Sequence, residues 1–169
     1  MNRSSRIGIA LVTILALTAV PAFAATFVFN AHLSGKAQVP ERDTRATGQA
    51  TLKLSSDQAS LEYKINVSNI ENVVGVRMHS GTEGTTGAEI AVLFGPVAPG
   101  GGRSSGVLTT GTLTAARLVG PMAGRSISDL IVEIQAGRVY VNVVTDDGLA
   151  PPDEKPGDFS SGEIRGQIK

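Results

Sequence analysis

The chain has 169 residues with 15 basic and 15 acidic side chains, so its formal net charge is zero, and it contains no cysteine. A balanced charge without a basic patch gives no reason to expect binding to nucleic acid or to an anionic membrane surface. The absence of cysteine excludes a disulfide scaffold and a cysteine nucleophile. The length is that of one domain, whose core is large enough to fold without disulfides.

The N-terminus has the pattern of a secretory signal peptide. Two arginines precede the apolar run 7–20, and the small-x-small triplet 22–24 follows it. The run is shorter than the roughly 20 apolar residues that cross a bilayer. We therefore predict that residues 1–24 are removed on export. Residues 25–169 then form one domain without a membrane span, either secreted or held in the cell envelope.

Most of the remaining chain alternates apolar and polar residues with a period of two. In the clearest segment, Leu61, Tyr63 and Ile65 share one face, and Glu62 and Lys64 share the other. Such alternation predicts strands with one face in the core. Eight segments follow it: 26–34, 46–54, 60–68, 73–80, 88–94, 106–114, 138–145 and 162–169. They predict an all-β fold, an antiparallel Greek-key-like β-sandwich or barrel of about eight strands.

One segment has helical spacing instead. Its apolar residues recur at positions three or four apart, namely Ile127, Leu130, Ile131 and Ile134. Ser126 and Asp129 predict a capping box at the start of a helix, and Gly137 predicts its end. We predict one short helix that closes an end of the core and binds nothing.

The chain has few residues that are suited to catalysis or to binding a transition metal. It has two histidines, His32 and His79, whereas zinc or copper sites need three or four ligands, mostly His or Cys. Neither histidine belongs to a motif for a Ser-His-Asp triad. With two tyrosines and no tryptophan, the chain offers little aromatic surface for a sugar-binding cleft. We therefore expect no enzymatic activity, no catalytic residue, no cofactor and no metal site.

Two loops have unusual compositions. The glycine-rich loop 95–106 lacks the Gly-Lys-Ser/Thr ending of a phosphate-binding loop, which argues against nucleotide binding. The loop 146–161 contains five acidic residues and three prolines. The spacing of its acids matches no ordered calcium-binding loop. The sequence therefore favours a solvated loop and leaves cation binding by this segment open.

Four segments together resemble a known family. In chain order they are AHLSGKAQVPERDTRATGQATLKL, LEYKINVSNIENVVGVRMHSGTEGTTGAEIAVLF, GRVYVNVVT and GEIRGQIK. They resemble the chordin domain, a module of the animal growth-factor antagonist chordin and of many small exported microbial proteins. The resemblance extends from about Phe27 to Lys169. It implies an extracellular β-sandwich with a binding role and no established catalytic activity.

The resemblance also identifies three positions at which the family pattern usually has histidine. In this chain they are Arg77, His79 and Val144. Alternation places the first two on the outer face of their strand, and the third on the outer face of another strand. If these strands are neighbours, the three positions converge on one patch, in which Arg77 opposes cation binding and favours a neutral imidazole. The opposite face of the first strand, which we expect to point inward, consists of Val74, Val76 and Met78.

The last strand adds two charged residues. Glu163 and Arg165 alternate with apolar residues, so we expect both to point away from the core as an exposed ion pair, worth about 0–1 kcal/mol. The functional alternative is a polar cluster of these two residues with Arg77, Asn142 and Thr145. The candidate binding residues are therefore Arg77, His79, Asn142, Thr145, Glu163 and Arg165.

The leading functional hypothesis is an exported, non-catalytic module. Its partner is an unidentified protein or polymer, at the cell surface or in the extracellular medium. The alternative is a metal-binding or redox protein that uses the degenerate histidine patch. A hydrolase with paired carboxylates ranks third.

Overall fold

The computed structural model describes residues 27–169, so the predicted signal peptide lies outside the described residues. Residues 27–169 form eight strands: β1 (Val28–Ser34), β2 (Thr47–Leu54), β3 (Ser60–Glu71), β4 (Val73–Ser80), β5 (Glu89–Phe94), β6 (Arg103–Thr114), β7 (Val139–Thr145) and β8 (Ile164–Gln167). Within the same residues, one α-helix, α1 (Ile127–Gln135), lies between β6 and β7 along the chain. No helix of residues 27–169 has the length and apolar character that a membrane span requires.

All eight strands belong to one antiparallel sheet, in the order β5-β4-β7-β8-β1-β2-β3-β6. The sheet curls until its end strands, β5 and β6, come close to each other. Across the core, the Tyr63 hydroxyl donates to Leu93 O at 2.6 Å and so ties β3 to β5. The result is a nearly closed barrel with one short helix, which confirms the predicted all-β antiparallel fold.

The core consists of the alternating apolar residues that the sequence indicates. In β3, Leu61, Tyr63 and Ile65 are buried while Glu62 and Lys64 are exposed. In β4, Val76 and Met78 point inward as predicted. Val74 is only half-buried, because a register shift between Val73 and Gly75 interrupts the alternation, and its prediction as an inward residue is wrong.

The predicted helix is confirmed together with its signals. Ser126 Oγ accepts a hydrogen bond from Asp129 N at 3.1 Å, and the Asp129 carboxylate accepts one from Ser126 N at 2.9 Å. Gly137 follows the helix with a φ of +68°, a backbone conformation that favours glycine. The apolar stripe packs into the core at Ile127, Leu130, Ile131 and Ile134.

Strand β7 departs from the half-buried pattern, because all seven of its residues are buried. Its inner valines belong to the core. Its outer face is covered by two segments that are distant in sequence: Gln38 Nε2 donates to Asn142 Oδ1 at 2.8 Å, and Asn142 Nδ2 donates to Ser161 O at 3.0 Å. The outer side of the sheet at β7 is therefore also buried, and its contacts there include hydrogen bonds between polar groups.

Candidate functional site

Four of the six predicted binding residues lie side by side on the outer face of β4, β7 and β8. These three strands are neighbours in the sheet. The register pairs Arg77 with Asn142 and Asn142 with Arg165, and it pairs His79 with Tyr140. Adjacent strands therefore bring residues that are up to 88 positions apart onto one surface.

His79 and Arg165 stack on Tyr140 from the strands on either side of β7, and we call these three residues the Tyr140 stack. The His79 and Tyr140 rings are nearly parallel, with centroids 5.1 Å apart. The Arg165 guanidinium carbon lies 3.4 Å from the Tyr140 ring centroid, and Arg165 Nη2 donates to Thr82 O at 3.1 Å. The tyrosine hydroxyl accepts a hydrogen bond from Gly87 N at 3.3 Å. The stack thus holds the glycine-rich turn after β4 against β7 and β8.

The environment of His79 favours a neutral imidazole. Its Nδ1 lies 3.1 Å from Gly87 O, a carbonyl that can only accept, so Nδ1 carries the proton. Its Nε2 is buried and has no hydrogen-bond partner among residues 27–169. Burial lowers the pKa of His79 below its ordinary value and outweighs the opposite effects of the Gly87 hydrogen bond and the Glu89 charge, while the charges of Arg77 and Arg165 lower it further.

This environment predicts a specific dependence of stability on pH. Because the pKa of His79 is lower in the folded state, the unfolded state takes up the proton first, at its ordinary pKa of about 6.5. The contribution of His79 is therefore fully present above about pH 6.5 and is lost as the pH falls through the folded-state pKa. Urea unfolding between about pH 5 and pH 8 should show this loss in the wild-type protein and not in His79→Gln.

The exposed His32 provides the matched control for this prediction. His32→Gln should keep the wild-type loss of stability at low pH. An equal loss in His79→Gln would assign the effect to other groups.

Arg77 makes an ion pair outside the stack. Its Nη1 lies 2.5 Å from Glu89 Oε2 on β5, and both side chains are about 30% exposed. The cation is thus neutralised by a carboxylate of the neighbouring strand, a pairing that the sequence analysis did not identify. In this half-exposed setting the pair contributes little to stability, on the order of 1 kcal/mol or less.

The three histidine positions of the family pattern do not form one site in this chain. Val144 pairs with Gly75, which places it diagonally across from Arg77. His79 lies four residues further along β4 from that pair, or about 13 Å at the rise of a strand. One metal ion cannot reach both His79 and Val144, so the predicted convergence of all three positions is wrong.

Glu163 and Arg165 do not form the predicted exposed ion pair, so that prediction is wrong. Both residues are buried, at 0% and 2% exposure. Arg165 belongs to the Tyr140 stack, and burial lowers its pKa from the ordinary value. Glu163 lies just before β8 begins, and its side chain turns towards the end of β7. Alternation predicts side-chain directions only within a strand, so it does not apply to Glu163, which precedes β8.

Glu163 is the acceptor at the centre of a buried hydrogen-bond network, which we call the Glu163 network. Its carboxylate accepts from Thr44 Oγ1 at 2.6 Å, from Thr145 Oγ1 at 3.0 Å and from Gly157 N at 2.9 Å. Thr145 Oγ1 in turn accepts from Phe159 N at 2.9 Å. Thr145 and Glu163 therefore belong together, and separately from the stack that contains His79 and Arg165.

A cleft with a volume of about 480 Å³ opens beside the Glu163 network. Sequence reasoning missed this cleft, because its walls come from parts of the chain that are far apart in sequence. The only signal in the sequence was the charged run 41–45 in a segment without strand alternation. The residues that line the cleft are Asp43, Thr44, Arg45, Asn69, Glu71, Arg103, Pro156, Gly157 and Glu163.

Four charged side chains at the cleft are exposed and form no salt bridge within residues 27–169. They are Asp43, Arg45, Glu71 and Arg103, two of each sign. Arg103 Nη2 makes one hydrogen bond, to Asn69 Oδ1 at 3.3 Å. The cleft thus combines a concave shape with charges that are available to a partner.

Comparison with known proteins identifies the family. The model of the CHRD domain matches residues 29–154, which is most of the chain and includes nearly all of β1 to β7. The matched range ends before Glu163 and Arg165. No curated protein and no solved structure matches the chain. The match confirms the resemblance to the chordin domain, and the chain belongs to the CHRD domain family.

Proposed function

We propose that the protein is an exported, non-catalytic module that binds a polypeptide segment in the cleft beside Glu163. The observation that carries the proposal is the set of four exposed charges, Asp43, Arg45, Glu71 and Arg103, around one concave surface. In the free protein these charges are solvated by water, so the absence of a protein counter-ion costs little free energy. They form ion pairs when a partner with complementary charges binds. Export rests on the signal-peptide pattern of the N-terminus.

The chemistry of the cleft favours a polypeptide over other polymers. Two acidic and two basic groups complement a chain that itself carries charges of both signs, whereas a nucleic acid requires a uniformly basic surface. No aromatic residue of the described part of the chain lines the cleft, so these residues offer no face on which a sugar ring can stack. A volume of about 480 Å³ is within the usual range of ligand sites and accommodates a few side chains.

The outer face of β4, β7 and β8 supports a structural role for the histidine patch. His79 is the single imidazole of this patch. Its Nδ1 hydrogen-bonds Gly87 O, and its ring stacks on Tyr140. Arg77 is paired with Glu89 and supplies no metal ligand. The Glu163 carboxylate is engaged in three hydrogen bonds. These contacts favour binding at the cleft over metal or redox chemistry at the patch.

The test is a charge reversal at the cleft. The purified protein is immobilised and exposed to the envelope and culture-supernatant fractions of its native host, and a captured protein is identified and purified. We expect Arg45→Glu/Arg103→Glu to weaken the affinity for that protein by at least about tenfold, since two ion pairs become repulsive contacts. Raising the salt concentration should weaken the wild-type complex as well.

A matched control changes the same charge elsewhere. Lys53→Glu/Lys64→Glu alters two exposed lysines on the outer face of β2 and β3, and should leave the affinity unchanged. Equal affinities of the cleft variant and the wild type would disprove binding at the cleft. Capture that survives protease treatment of the fractions and is lost on periodate oxidation would identify a glycan ligand instead.

A further inference from the structure

The loop that follows β7 contains a cluster of three aspartates. A carboxylate oxygen of Asp146, one of Asp147 and one of Asp158 all lie within 4.8 Å of one another. The first two residues are half-buried, and Asp158 is only 3% exposed. Like charges at these distances repel one another, and a cation between them converts the repulsion into attraction.

The Asp158 carboxylate has an unsatisfied oxygen. Its Oδ2 accepts a hydrogen bond from Asp153 N at 2.6 Å, but its Oδ1 is buried without a hydrogen-bond partner among residues 27–169. Buried charges in proteins are normally paired or coordinate a metal ion, because an unpaired carboxylate oxygen is costly to remove from water. Since Asp158 contributes to the cluster, its carboxylate is in position to bind an ion there.

The only basic residue of the loop 146–161 forms its ion pair outside this cluster. Lys155 Nζ lies 2.7 Å from Asp153 Oδ2, and its side chain is 74% exposed. No salt bridge joins any of the three aspartates to a lysine or arginine in the described part of the chain. The three carboxylates thus have no protein counter-ion in contact with them there.

We propose that Asp146, Asp147 and Asp158 bind a divalent cation, Ca²⁺. Oxygen atoms bound to one Ca²⁺ ion at about 2.4 Å lie at most about 4.8 Å apart, and no two of these three carboxylate oxygens are further apart than that. The cluster holds only carboxylate oxygens, the ligands of hard cations, and no histidine or cysteine that would favour zinc or copper. Ca²⁺ accepts irregular geometry and completes its shell with carbonyl oxygens and water, whereas Mg²⁺ demands a near-ideal octahedron. The inference holds whether or not the cleft binds a polypeptide.

Calorimetric titration of the EGTA-treated purified protein with CaCl₂ tests this site. We expect one ion per chain with a Kd of about 0.1–1 mM, the range of extracellular calcium modules. Addition of about 5 mM CaCl₂ should raise the Tm by about 4 °C. Asp147→Asn and Asp158→Asn should each weaken binding by at least about tenfold, because the affinity follows the number of ligand charges.

Two comparisons make the result specific. Glu154→Gln removes an exposed carboxylate from the same loop but outside the cluster, and it should bind Ca²⁺ as the wild type does. Asp147→Asn keeps an oxygen for the hydrogen bond from Leu149 N and removes one of the repelling charges, so its Tm in EGTA should be at least that of the wild type. No binding up to about 5 mM CaCl₂, undiminished binding by both aspartate variants, or equal affinity for MgCl₂ would overturn the assignment.

Discussion

Replacing Tyr140 with alanine is expected to lower the free energy of unfolding by about 3–5 kcal/mol, the usual cost of deleting a large buried aromatic side chain. Tyr140 is 4% exposed, and its ring lies between His79 and Arg165. Alanine leaves a cavity and also deprives a buried guanidinium of its aromatic contact. Urea unfolding followed by circular dichroism measures the change.

Two further variants separate the ring from its hydroxyl. Tyr140→Phe keeps the stack and loses only the hydrogen bond from Gly87 N, so it should cost about 1 kcal/mol. Leu149→Ala removes an apolar side chain that is 73% exposed and should change stability by less than about 0.5 kcal/mol. A loss of less than about 1 kcal/mol in Tyr140→Ala would show that the stack does not support the fold.

The second large effect is expected at Glu163. Glu163→Ala should lower the free energy of unfolding by about 3 kcal/mol, because it leaves Thr44 Oγ1, Thr145 Oγ1 and Gly157 N without their common acceptor. Glu163→Gln keeps the shape of the side chain but places an amide among donors, and should cost about 2 kcal/mol. Chemical denaturation of each variant gives these values.

A double-mutant cycle identifies the network as the cause. Thr145→Val removes the hydroxyl that donates to Glu163. The double variant should therefore lose less stability than the sum of the losses of Thr145→Val and Glu163→Ala, by about 1 kcal/mol or more. Glu62→Ala, at an exposed position on β3, serves as the control and should have little effect. Strict additivity of Thr145→Val and Glu163→Ala would show that the two residues act independently.

The sequence was sufficient to predict the strands and the helix, because both depend on local patterns. The alternation of Leu61, Tyr63 and Ile65 identifies the inner face of β3 without any knowledge of its neighbours. The capping box of Ser126 with Asp129 likewise involves only a few adjacent residues. Each of these features depends on fewer than about a dozen consecutive residues.

The outer side of β7 and β8 could not be predicted in this way. Alternation shows only that Arg165 opposes the core, whereas its burial comes from Tyr140 on the neighbouring strand and from Thr82 O in a distant turn. The burial of Asn142 similarly depends on Gln38 and Ser161. A charged residue on the outer face of a strand is exposed only if no loop returns to cover it, and loop paths are not encoded in local periodicity.

The candidate site required the same long-range information. Alternation correctly predicts that Arg77 and His79 lie on one outer face. The register of β4 with β7, which alternation does not determine, places Val144 too far from His79 for both positions to contact one ligand. The cleft joins Arg45 with Arg103, which are 58 residues apart. Patterns in a single sequence do not determine which residues pair across a sheet, or which distant segments of the chain come together.

Hydrogen–deuterium exchange of the protein with and without its captured partner gives the location of binding without prior choice of a mutation. Amides in 42–47, 69–72, 102–104 and 155–158, the segments around the cleft, should become protected in the complex. The stretch 107–112 of β6, which is half-buried to exposed and lies outside the cleft, should exchange as in the free protein. Protection confined to β6, or to the outer face of β4, β7 and β8, would contradict binding at the cleft.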